Sequence, residues 1–429
     1  MEIIGIIMFL VIFILILFGY PVALTLAGVA TIFGLLFVPD FLDLLPLRIM
    51  GVMQNYVLIA VPLFIFMGLM LEKSGLAESL LKTMAKMFGT VRGGLAVSVV
   101  IVGALLAAST GIVGATVITM GLISLPTMLK QNYDPKLATG VIASSGTLGQ
   151  IIPPSIVLIL LGSVLNVSVG KMFSAALVPG LLLVGIYVAY ILIIARLRPE
   201  VAPLPELVEE IKDRAFYINV IKAFLMPLLL ILAVLGSIFA GVASPTEAAA
   251  VGALGAVILT TLNGKFSIAD IKEVSRSTTH LTSMVFLILL GATTFALVFK
   301  GLGGDTYLIQ MVTGGNLSPT AFLLLVMLVV FIAGFFIDFI EIIFIIVPVV
   351  APIFIAMKMD LIWIGILLAL NLQTSFLSPP FGFALFYLKG VAPPEVTTGQ
   401  IYRGIIPFLI LQILVLLLVF LWPDVIYLV

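Results

Sequence analysis

The sequence predicts an all-α polytopic membrane protein that is built from an inverted-topology repeat, with two re-entrant hairpins and two helices broken at Pro-Pro pairs. Of the 429 residues, 63% are hydrophobic and only 9% are charged, whereas a soluble domain carries roughly 25% charged residues. Apolar runs recur from end to end, and about 20 such residues cross a bilayer as a helix. A Pro-Pro pair also lies in each half of the chain, within an uncharged stretch.

Composition also excludes several classes of function. The chain has no cysteine, so disulfides and thiolate sites are excluded, and His280, at a span edge, is interpreted as an interfacial residue rather than a proton relay. The net charge is zero and no nucleic-acid binding is expected. No G-x-x-x-x-G-K-[ST] phosphate loop occurs, so uphill transport would need an ion gradient. The first apolar run is not interpreted as a signal peptide, because Glu2 stands where a basic cluster is expected.

Charges and turn residues delimit the simple crossings. The predicted spans cover 3–19, 22–38, 55–71, 172–195, 223–241, 246–262, 280–299 and 404–422. Amphipathic segments are expected at 72–92 and 265–276, and a polar loop at 196–214 separates two halves. Two further stretches, 93–129 and 316–357, are far too long for one crossing, so each predicts a re-entrant hairpin.

The two halves repeat each other at a constant separation along the chain. The pairs that share this separation are Pro126 with Pro352, Asp134 with Asp360, and Pro153–Pro154 with Pro379–Pro380. Each half therefore ends with a hairpin, a Pro-Pro stretch and a final span. Matches of this kind at one fixed period are the signature of an internal repeat.

The distribution of Lys and Arg predicts the orientation of this repeat. If each hairpin enters and leaves on one side while every other segment crosses, sixteen of the twenty basic residues fall on one side. The other four are Arg48, Lys171, Lys300 and Lys358. The positive-inside rule assigns the basic side to the cytoplasm, with both chain ends outside. Two hairpins of opposite orientation form an inverted-topology repeat, which is typical of secondary transporters.

The hairpin tips and the Pro-Pro breaks form the predicted site. Prolines remove N–H donors and free carbonyls one turn earlier, and such carbonyls together with hydroxyls suit a hard cation such as Na⁺. The amino ends of the half-helices suit a carboxylate. One cluster pairs 107–111 with 144–155, and the other pairs 334–338 with 372–381. A simple structural kink is the alternative for the Pro-Pro pairs, and Asp338 and Glu341 either serve the site or mark a hairpin end that touches water.

Three motifs resemble the large membrane subunit of tripartite ATP-independent periplasmic (TRAP) transporters, and the resemblance covers essentially the whole chain. They are ASTGIVGATVITMG at 108–121, SGTLGQIIPPSIVLILLG at 145–162 and SPPFG at 378–382. The chain looks most similar to the mannitol/chloroaromatic-type branch. The resemblance implies an elevator-type Na⁺ symporter, similar to the ion transporter superfamily, in the bacterial cytoplasmic (inner) membrane. It also implies a small four-helix membrane subunit and a soluble periplasmic binding protein that delivers an organic acid.

The resemblance also assigns domains and residues by motif. The implied scaffold is 1–92 and 201–303, and the implied transport domain is 93–200 and 304–429. The first Na⁺ site would use Thr110, Gly149, Ile152 and Ser155, and the second would use Gly334, Ser375, Ser378 and Phe381, in part through backbone carbonyls. The substrate candidates are Thr110, Thr147, Asp338, Thr374 and Arg48, and the structural hinges are Pro153, Pro154, Pro379 and Pro380. The chain departs from the family pattern with Thr110 and Thr116 at the first hairpin, and with Ser375 where glycine is common. Arg48 is otherwise an outer-surface interfacial arginine.

The resulting hypothesis is the large subunit of a Na⁺-coupled importer of a carboxylate. The alternative is a stand-alone ion-coupled anion or dicarboxylate transporter without a binding protein. A membrane-embedded enzyme would need a cluster of ionisable residues at depth, where Asp338 and Glu341 are the candidates. A channel is disfavoured, because two opposed hairpin tips are typical of a gated occlusion site.

Overall fold

The protein is described here from a computed structural model, which covers residues 2–88, 91–111, 113–204, 214–315 and 317–428. The helices of the first half are α1 (Glu2–Leu17), α2 (Val22–Phe37), α3 (Pro39–Leu42), α4 (Leu45–Met53), α5 (Ala60–Lys73), α6 (Leu76–Met87), α7 (Gly94–Thr110), α8 (Val113–Lys130), α9 (Pro135–Thr147), α10 (Ile156–Val164) and α11 (Val169–Leu197). Those of the second half are α12 (Arg214–Phe239), α13 (Pro245–Leu262), α14 (Ile268–Gly301), α15 (Gly304–Gly314), α16 (Pro319–Ala333), α17 (Phe339–Ile345), α18 (Val347–Ala356), α19 (Leu361–Leu377), α20 (Phe383–Val391) and α21 (Thr398–Leu421). Short 3₁₀ turns lie at Tyr56–Ile59, Leu148–Gln150 and Pro423–Tyr427.

This all-α architecture matches the predicted class of membrane protein. Within the described ranges, six helices are long and apolar enough to cross a bilayer, or seven if the bent pair α17–α18 is one span. Shorter apolar helices, including α1 and α2, accompany them. Their outward faces carry large exposed hydrophobic side chains such as Leu24, Leu192 and Leu417, as expected for a surface whose solvent is lipid.

The first hairpin consists of α7 and α8. Gly111, which has a φ of 61°, ends α7 in a left-handed cap and lets the chain reverse. At the opposite end, the backbone N–H groups of Leu95 and Ala96 donate to the hydroxyl oxygen of Tyr133, just beyond α8. Burial raises the pKa of Tyr133 to about 12. The start of α7 and the end of α8 therefore lie together, so this element enters and leaves on one side.

The second hairpin consists of α16 and the bent pair α17–α18. Its two arms meet at their base, where the rings of Phe322 and Phe354 have centroids 5.2 Å apart. The returning arm bends by 50° between α17 and α18. The bend follows from Pro348, which stands in the first turn of α18 and cannot donate the hydrogen bond that would continue α17.

Two helices are broken at the Pro-Pro pairs. The first consists of α9 and α10 with the break at 151–155, and the second consists of α19 and α20 with the break at 378–382. Both Pro-Pro peptide bonds are cis. Each broken helix begins at an aspartate cap: the carboxylate of Asp134 accepts from the N–H of Lys136 at 2.8 Å, and that of Asp360 accepts from the N–H of Ile362 at 2.9 Å.

The repeat predicted from the sequence is present in the structure. When the residue numbers of the first repeat are increased by the separation between the two proline pairs, α8 coincides with α17–α18, and the start of α9 coincides with the start of α19. With the same shift, the start of α10 falls within one residue of the start of α20. The internal repeat is therefore confirmed at the level of individual helix ends, with α8 continuous in one copy and bent in the other.

Contacts at or near helix ends agree with the threading that the charges predicted. Contacts on the predicted cytoplasmic side are Lys73 Nζ to Glu273 Oε1 (2.7 Å), Asn263 Nδ2 to the Ser74 carbonyl (2.9 Å) and Asp134 N to the Val201 carbonyl (3.0 Å). Contacts on the opposite side are Asn55 Nδ2 to Ser163 Oγ (3.2 Å), Thr246 Oγ1 to the Tyr56 carbonyl (2.9 Å) and Trp363 Nε1 to the Val419 carbonyl (2.8 Å). Each pair joins segments that the threading placed on the same side.

The expected amphipathic segments differ from the helices observed. The segment 265–276 is not separate, because α14 runs unbroken for 34 residues and includes most of it. Ser267 caps the start of α14 by accepting from the N–H of Ala269 at 3.1 Å, and the sequence from there to Leu290 contains neither glycine nor proline to end the helix. The segment 72–92 is divided, since Glu72 and Lys73 finish α5 and a turn at Gly75 precedes α6.

Candidate cation and substrate site

The first hairpin presses against the first broken helix at Gly149. A Cβ atom placed on Gly149 would lie 2.7 Å from the carbonyl oxygen of Ala107, in the last turn of α7. A Cβ atom on Gly111 would lie 3.3 Å from the backbone nitrogen of Ile156, which begins α10. The hairpin tip therefore meets the broken helix on both sides of its break, at positions where a larger residue would not fit.

The Pro-Pro pair leaves oxygen atoms available at this first break. The N–H of Ile152 donates to the Leu148 carbonyl at 2.8 Å. A continuing helix would next bond Pro153 to the carbonyl of Gly149, but proline has no N–H. The hydroxyl of Ser155 donates to the Gln150 carbonyl at 2.8 Å and keeps its lone pairs for a second partner. The Gly149 carbonyl and the Ser155 hydroxyl are therefore candidate oxygen ligands.

At the second break a glycine again allows the hairpin tip to approach the broken helix, but here the glycine belongs to the hairpin and not to the broken helix. Gly334 stands at the tip of the second hairpin, and a Cβ atom there would lie 2.5 Å from Ser375 Oγ. Ser375 occupies the position equivalent to Gly149, and its hydroxyl donates to the Phe331 carbonyl at 2.6 Å. The hydroxyl of Ser378 donates to the carbonyl one turn earlier at 2.8 Å. Both serines thus present lone pairs beside the break.

Phe381 can take part in this site only through its backbone. Its ring is 46% exposed and packs against Phe336 of the hairpin tip, with centroids 5.6 Å apart. The neighbouring carbonyl of Pro380 accepts a hydrogen bond from the hydroxyl of Tyr402 at 2.8 Å. The aromatic contact holds the break against the second hairpin.

The threonines predicted to bind substrate are placed differently from one another. The backbone of Thr110 ends α7, but its side chain lies outside the described part of the structure. Thr147 is fully buried, and its hydroxyl accepts from Gln373 Nε2 at 3.4 Å. The hydroxyl of Thr374 donates to the Leu370 carbonyl at 2.7 Å. Neither Thr147 nor Thr374 lines the cavity that adjoins the two hairpins.

A cavity of about 180 Å³ lies where both hairpins meet α5 and α14. Its lining residues are Ile65, Val113, Gly114, Ile156, Leu281, Met284, Val285, Asp338, Phe339, Ile340, Phe376 and Tyr387. The wall is largely apolar, and the first residues of α8 and α10 open onto it. Amino ends of helices carry a partial positive charge, so the starts of α8 and α10 favour a bound carboxylate, whereas an ionised Asp338 on the same wall opposes one.

Asp338 is the acidic member of this lining. It stands at the start of α17, where its N–H donates to Glu341 Oε2 at 3.2 Å in a capping box. The structure therefore brings Asp338 to the cavity and gives it a structural partner as well. Arg48, by contrast, lies exposed on α4 and is not among the cavity residues.

Sequence reasoning missed two glutamines in the broken helices. Gln150 and Gln373 are fully buried, and the Gln150 amide nitrogen and oxygen have no hydrogen-bond partner among the described residues. The amide oxygen of Gln373 is likewise without a partner in the described ranges. The signal was present in the sequence, since a polar amide in the middle of an uncharged stretch is expensive to bury.

Comparison with known proteins identifies the family. Residues 9–425 match the family model described as "Tripartite ATP-independent periplasmic transporter, DctM component". The chain belongs to this family. Membership makes this DctM-family chain a transporter subunit, not an enzyme, and a multi-pass protein of the bacterial cytoplasmic membrane. A tripartite family also implies a periplasmic binding protein and a small membrane subunit as partners.

Individual relatives of this DctM-family chain carry different substrate names. The C4-dicarboxylate TRAP transporter large permease protein DctM of Pseudomonas aeruginosa is 34% identical over 404 residues, covering 94% of this chain and 92% of the relative. The sialic acid TRAP transporter large permease protein SiaM of Vibrio cholerae is 28% identical, covering 95% and 93%. The ectoine/5-hydroxyectoine TRAP transporter large permease protein UehC of Ruegeria pomeroyi is 28% identical, covering 97% and 96%.

The fold of this DctM-family chain also resembles that of a solved transporter. The crystal structure of the Alcanivorax borkumensis YdaH transporter, described as having an unusual topology, superposes with a TM-score of 0.65. The match covers 96% of this chain and 98% of that chain at 14% identity. At this identity the likeness concerns the fold alone.

Proposed function

We propose that this chain is the large subunit of a Na⁺-driven importer that moves an organic acid, delivered by a periplasmic binding protein, by an elevator mechanism. The observation that carries this proposal is the pair of oxygen-lined breaks related by the repeat, each in contact with a hairpin tip. Gly149 and Ser155 supply oxygens at one break, and Ser375 and Ser378 supply them at the other. A cavity lies beside both hairpins.

The donor set at the two breaks favours a monovalent cation. Backbone carbonyls and serine hydroxyls are neutral oxygen ligands, which suit hard cations. Each hydroxyl already donates its proton to a carbonyl, so its free lone pairs point away from that bond. We assign Na⁺ as the coupling ion, which is transported together with the substrate and is held by the carbonyls of Gly149, Ile152, Gly334 and Phe381 together with the serine hydroxyls.

The proposed elevator divides the chain into two bodies. Residues 1–92 and 201–303 form the scaffold, and residues 93–200 and 304–429 form the moving transport domain. The cavity supports this division, because its wall combines Ile65, Met284 and Val285 of the scaffold with residues of both hairpins. A substrate bound there would sit at the sliding surface, which is where an elevator must close around its cargo.

The proposed substrate is an organic acid. Relatives of the chain are named for C4-dicarboxylate, for sialic acid and for ectoine, which supports a small polar acid as the cargo class. The amino ends of α8 and α10 at the cavity provide the anion-binding element. Mass spectrometry of the partner binding protein, purified from the native host, would identify the acid directly.

Uptake by the reconstituted complex tests the proposal. Proteoliposomes that contain this chain and its small subunit should accumulate the acid only when Na⁺ and the loaded binding protein are outside. Uptake of free acid by this chain alone, driven by a proton gradient, would contradict the proposal. That second result would favour the stand-alone anion transporter.

Ser378→Ala tests the second cation site within the same assay. Loss of one hydroxyl ligand should raise the Na⁺ concentration for half-maximal uptake by about tenfold or more, because a contact to a charged group contributes roughly 1.5–3 kcal/mol. Ser98→Ala is the matched control, since Ser98 is also buried and donates to the carbonyl one turn earlier, at 2.9 Å. An unchanged Na⁺ dependence in Ser378→Ala would remove this residue from the site.

A further inference from the structure

Gln150 is a buried amide whose side chain has no partner in the described structure. It has 0% of its surface exposed, and both Nε2 and Oε1 are without a hydrogen bond among the described residues. An unsatisfied buried polar group costs about 1–3 kcal/mol, and such groups are rare in native proteins. Within the described part of the chain, the Gln150 amide is therefore available to a ligand.

The chain around Gln150 belongs to the first oxygen cluster. Gln150 directly follows Gly149. The Gly149 carbonyl has no helical hydrogen-bond donor, because Pro153, one turn later, has no N–H. The hydroxyl of Ser155 donates to the backbone carbonyl of Gln150 itself, at 2.8 Å. One turn, closed by this hydrogen bond, thus carries the Gly149 carbonyl, the Ser155 hydroxyl and the Gln150 amide.

Gln412 shows how the same fold treats a glutamine that serves packing. It is also fully buried, but Tyr187 Oη donates to its Oε1 at 3.1 Å and its Nε2 donates to the Leu370 carbonyl at 3.4 Å. Both ends of that amide are used. The contrast separates a structural glutamine from one that is left available.

We propose that the side-chain oxygen of Gln150 is a further ligand of the first cation site, completing the set formed by the Gly149 carbonyl and the Ser155 hydroxyl. This inference rests on the proposed Na⁺ coupling. Because the Gln150 amide has no hydrogen bond to break among the described residues, it can turn its oxygen toward an arriving ion without losing a protein contact. An amide oxygen is a neutral hard donor, like the carbonyls beside it.

Thermal unfolding of the purified complex of this chain with its small subunit, in NaCl or in choline chloride, tests the assignment. Gln150→Met keeps the approximate shape of the side chain and removes its polar end. Without Na⁺ the variant should be as stable as the parent or more stable, because an unsatisfied amide has been replaced by an apolar group. With Na⁺ its gain in Tm should fall below half of the parental gain, and the Na⁺ concentration for half of that gain should rise about tenfold.

Gln412→Met is the matched control. It should lower Tm equally in NaCl and in choline chloride, since it leaves the Tyr187 hydroxyl and the Leu370 carbonyl without their partners, and its Na⁺ response should match that of the parent. If Gln150→Met also keeps the Na⁺ response of the parent, the amide holds a structural water and the assignment is wrong. If the parent complex itself shows no Na⁺ response, the proposed coupling ion is wrong and this inference falls with it.

Discussion

Thr147 and Gln373 are equivalent positions of the two repeats, and they touch. Gln373 Nε2 donates to Thr147 Oγ1 at 3.4 Å across a separation of 226 residues, which is the separation that relates the two proline pairs. Two residues related by a twofold axis can contact each other only where they lie beside that axis. The pseudo-twofold axis of the inverted repeat therefore passes between α9 and α19, and it relates the two candidate cation sites.

The side chains at equivalent positions of the two repeats differ in size, and this difference gives the first prediction. Gly149 faces the backbone of Ala107 in one repeat, whereas Gly334 faces Ser375, the equivalent of Gly149, in the other. Gly334→Ala should lower the unfolding free energy by about 1–3 kcal/mol through overpacking, because its Cβ would lie 2.5 Å from Ser375 Oγ. Combining it with Ser375→Gly should restore most of the loss in chemical denaturation. If the double variant is no more stable than Gly334→Ala, the two positions do not complement each other.

A polar contact that joins α5 to α8 provides the second prediction. Thr119 Oγ1 donates to Glu72 Oε1 at 2.6 Å, and this bond crosses between the proposed scaffold and the proposed transport domain. The chain has no cysteine, so within this chain the pair Glu72→Cys with Thr119→Cys can be bridged selectively by a short bis-methanethiosulfonate, which joins the two thiols through reducible disulfides. Bridging should abolish uptake in proteoliposomes, and reduction should restore it, because an elevator must slide these helices past one another.

The control for this cross-link lies within the proposed scaffold. Lys73 Nζ and Glu273 Oε1 form an ion pair at 2.7 Å between α5 and α14. Bridging Lys73→Cys with Glu273→Cys should leave most of the uptake intact, since the two helices move together. Uptake that persists when positions 72 and 119 are bridged would contradict the division into scaffold and transport domain.

Sequence reasoning succeeded where one local signal decides the structure. The Pro-Pro pairs, the caps Asp134 and Asp360, and the uncharged lengths between basic residues each determine a helix end or a crossing, and the proline pairs and the two caps recur at the repeat separation. Side-chain partners across the repeat were not predictable in this way. Gln373 contacts Thr147, whereas Gln150 has no described partner. This difference depends on how α9 and α19 pack, and a single sequence carries no signal for that packing. Arg48 shows the same limit, because its distance from the cavity is set by tertiary packing.

Close packing of α9 against α21 gives the third prediction. A Cβ atom on Gly404 of α21 would overlap the Lys136 carbonyl, so the two helices touch through backbone. Gly404→Ala should therefore lower Tm of the purified complex and cost about 1–3 kcal/mol. Gly399→Ala is the control in the same helix, since its Cβ would meet no atom within 4 Å, and it should leave Tm unchanged or raise it slightly through helix propensity. Equal effects of the two changes would rule out backbone contact as the cause.

Asp338 at the cavity gives the last prediction. If the carboxylate of the substrate faces the amino ends of α8 and α10, any hydroxyl or amine donor of the substrate needs an acceptor elsewhere. The carboxyl group of Asp338 is such an acceptor on an otherwise largely apolar wall. Asp338→Asn keeps a good N-cap for α17 but replaces the carboxyl group by an amide. It should raise the KM for an acid that carries such donors by about tenfold, which is the usual loss for a hydrogen bond to a charged group, with Tm in choline chloride unchanged.

Glu341→Gln separates this role from a purely structural one. Glu341 shares the capping box with Asp338 but is not among the residues that line the cavity. It should therefore leave KM unchanged, whatever it does to Tm. If both variants lower Tm and neither changes KM, Asp338 acts only as the cap of α17, and the cavity recognises its acid through helix amino ends and shape alone.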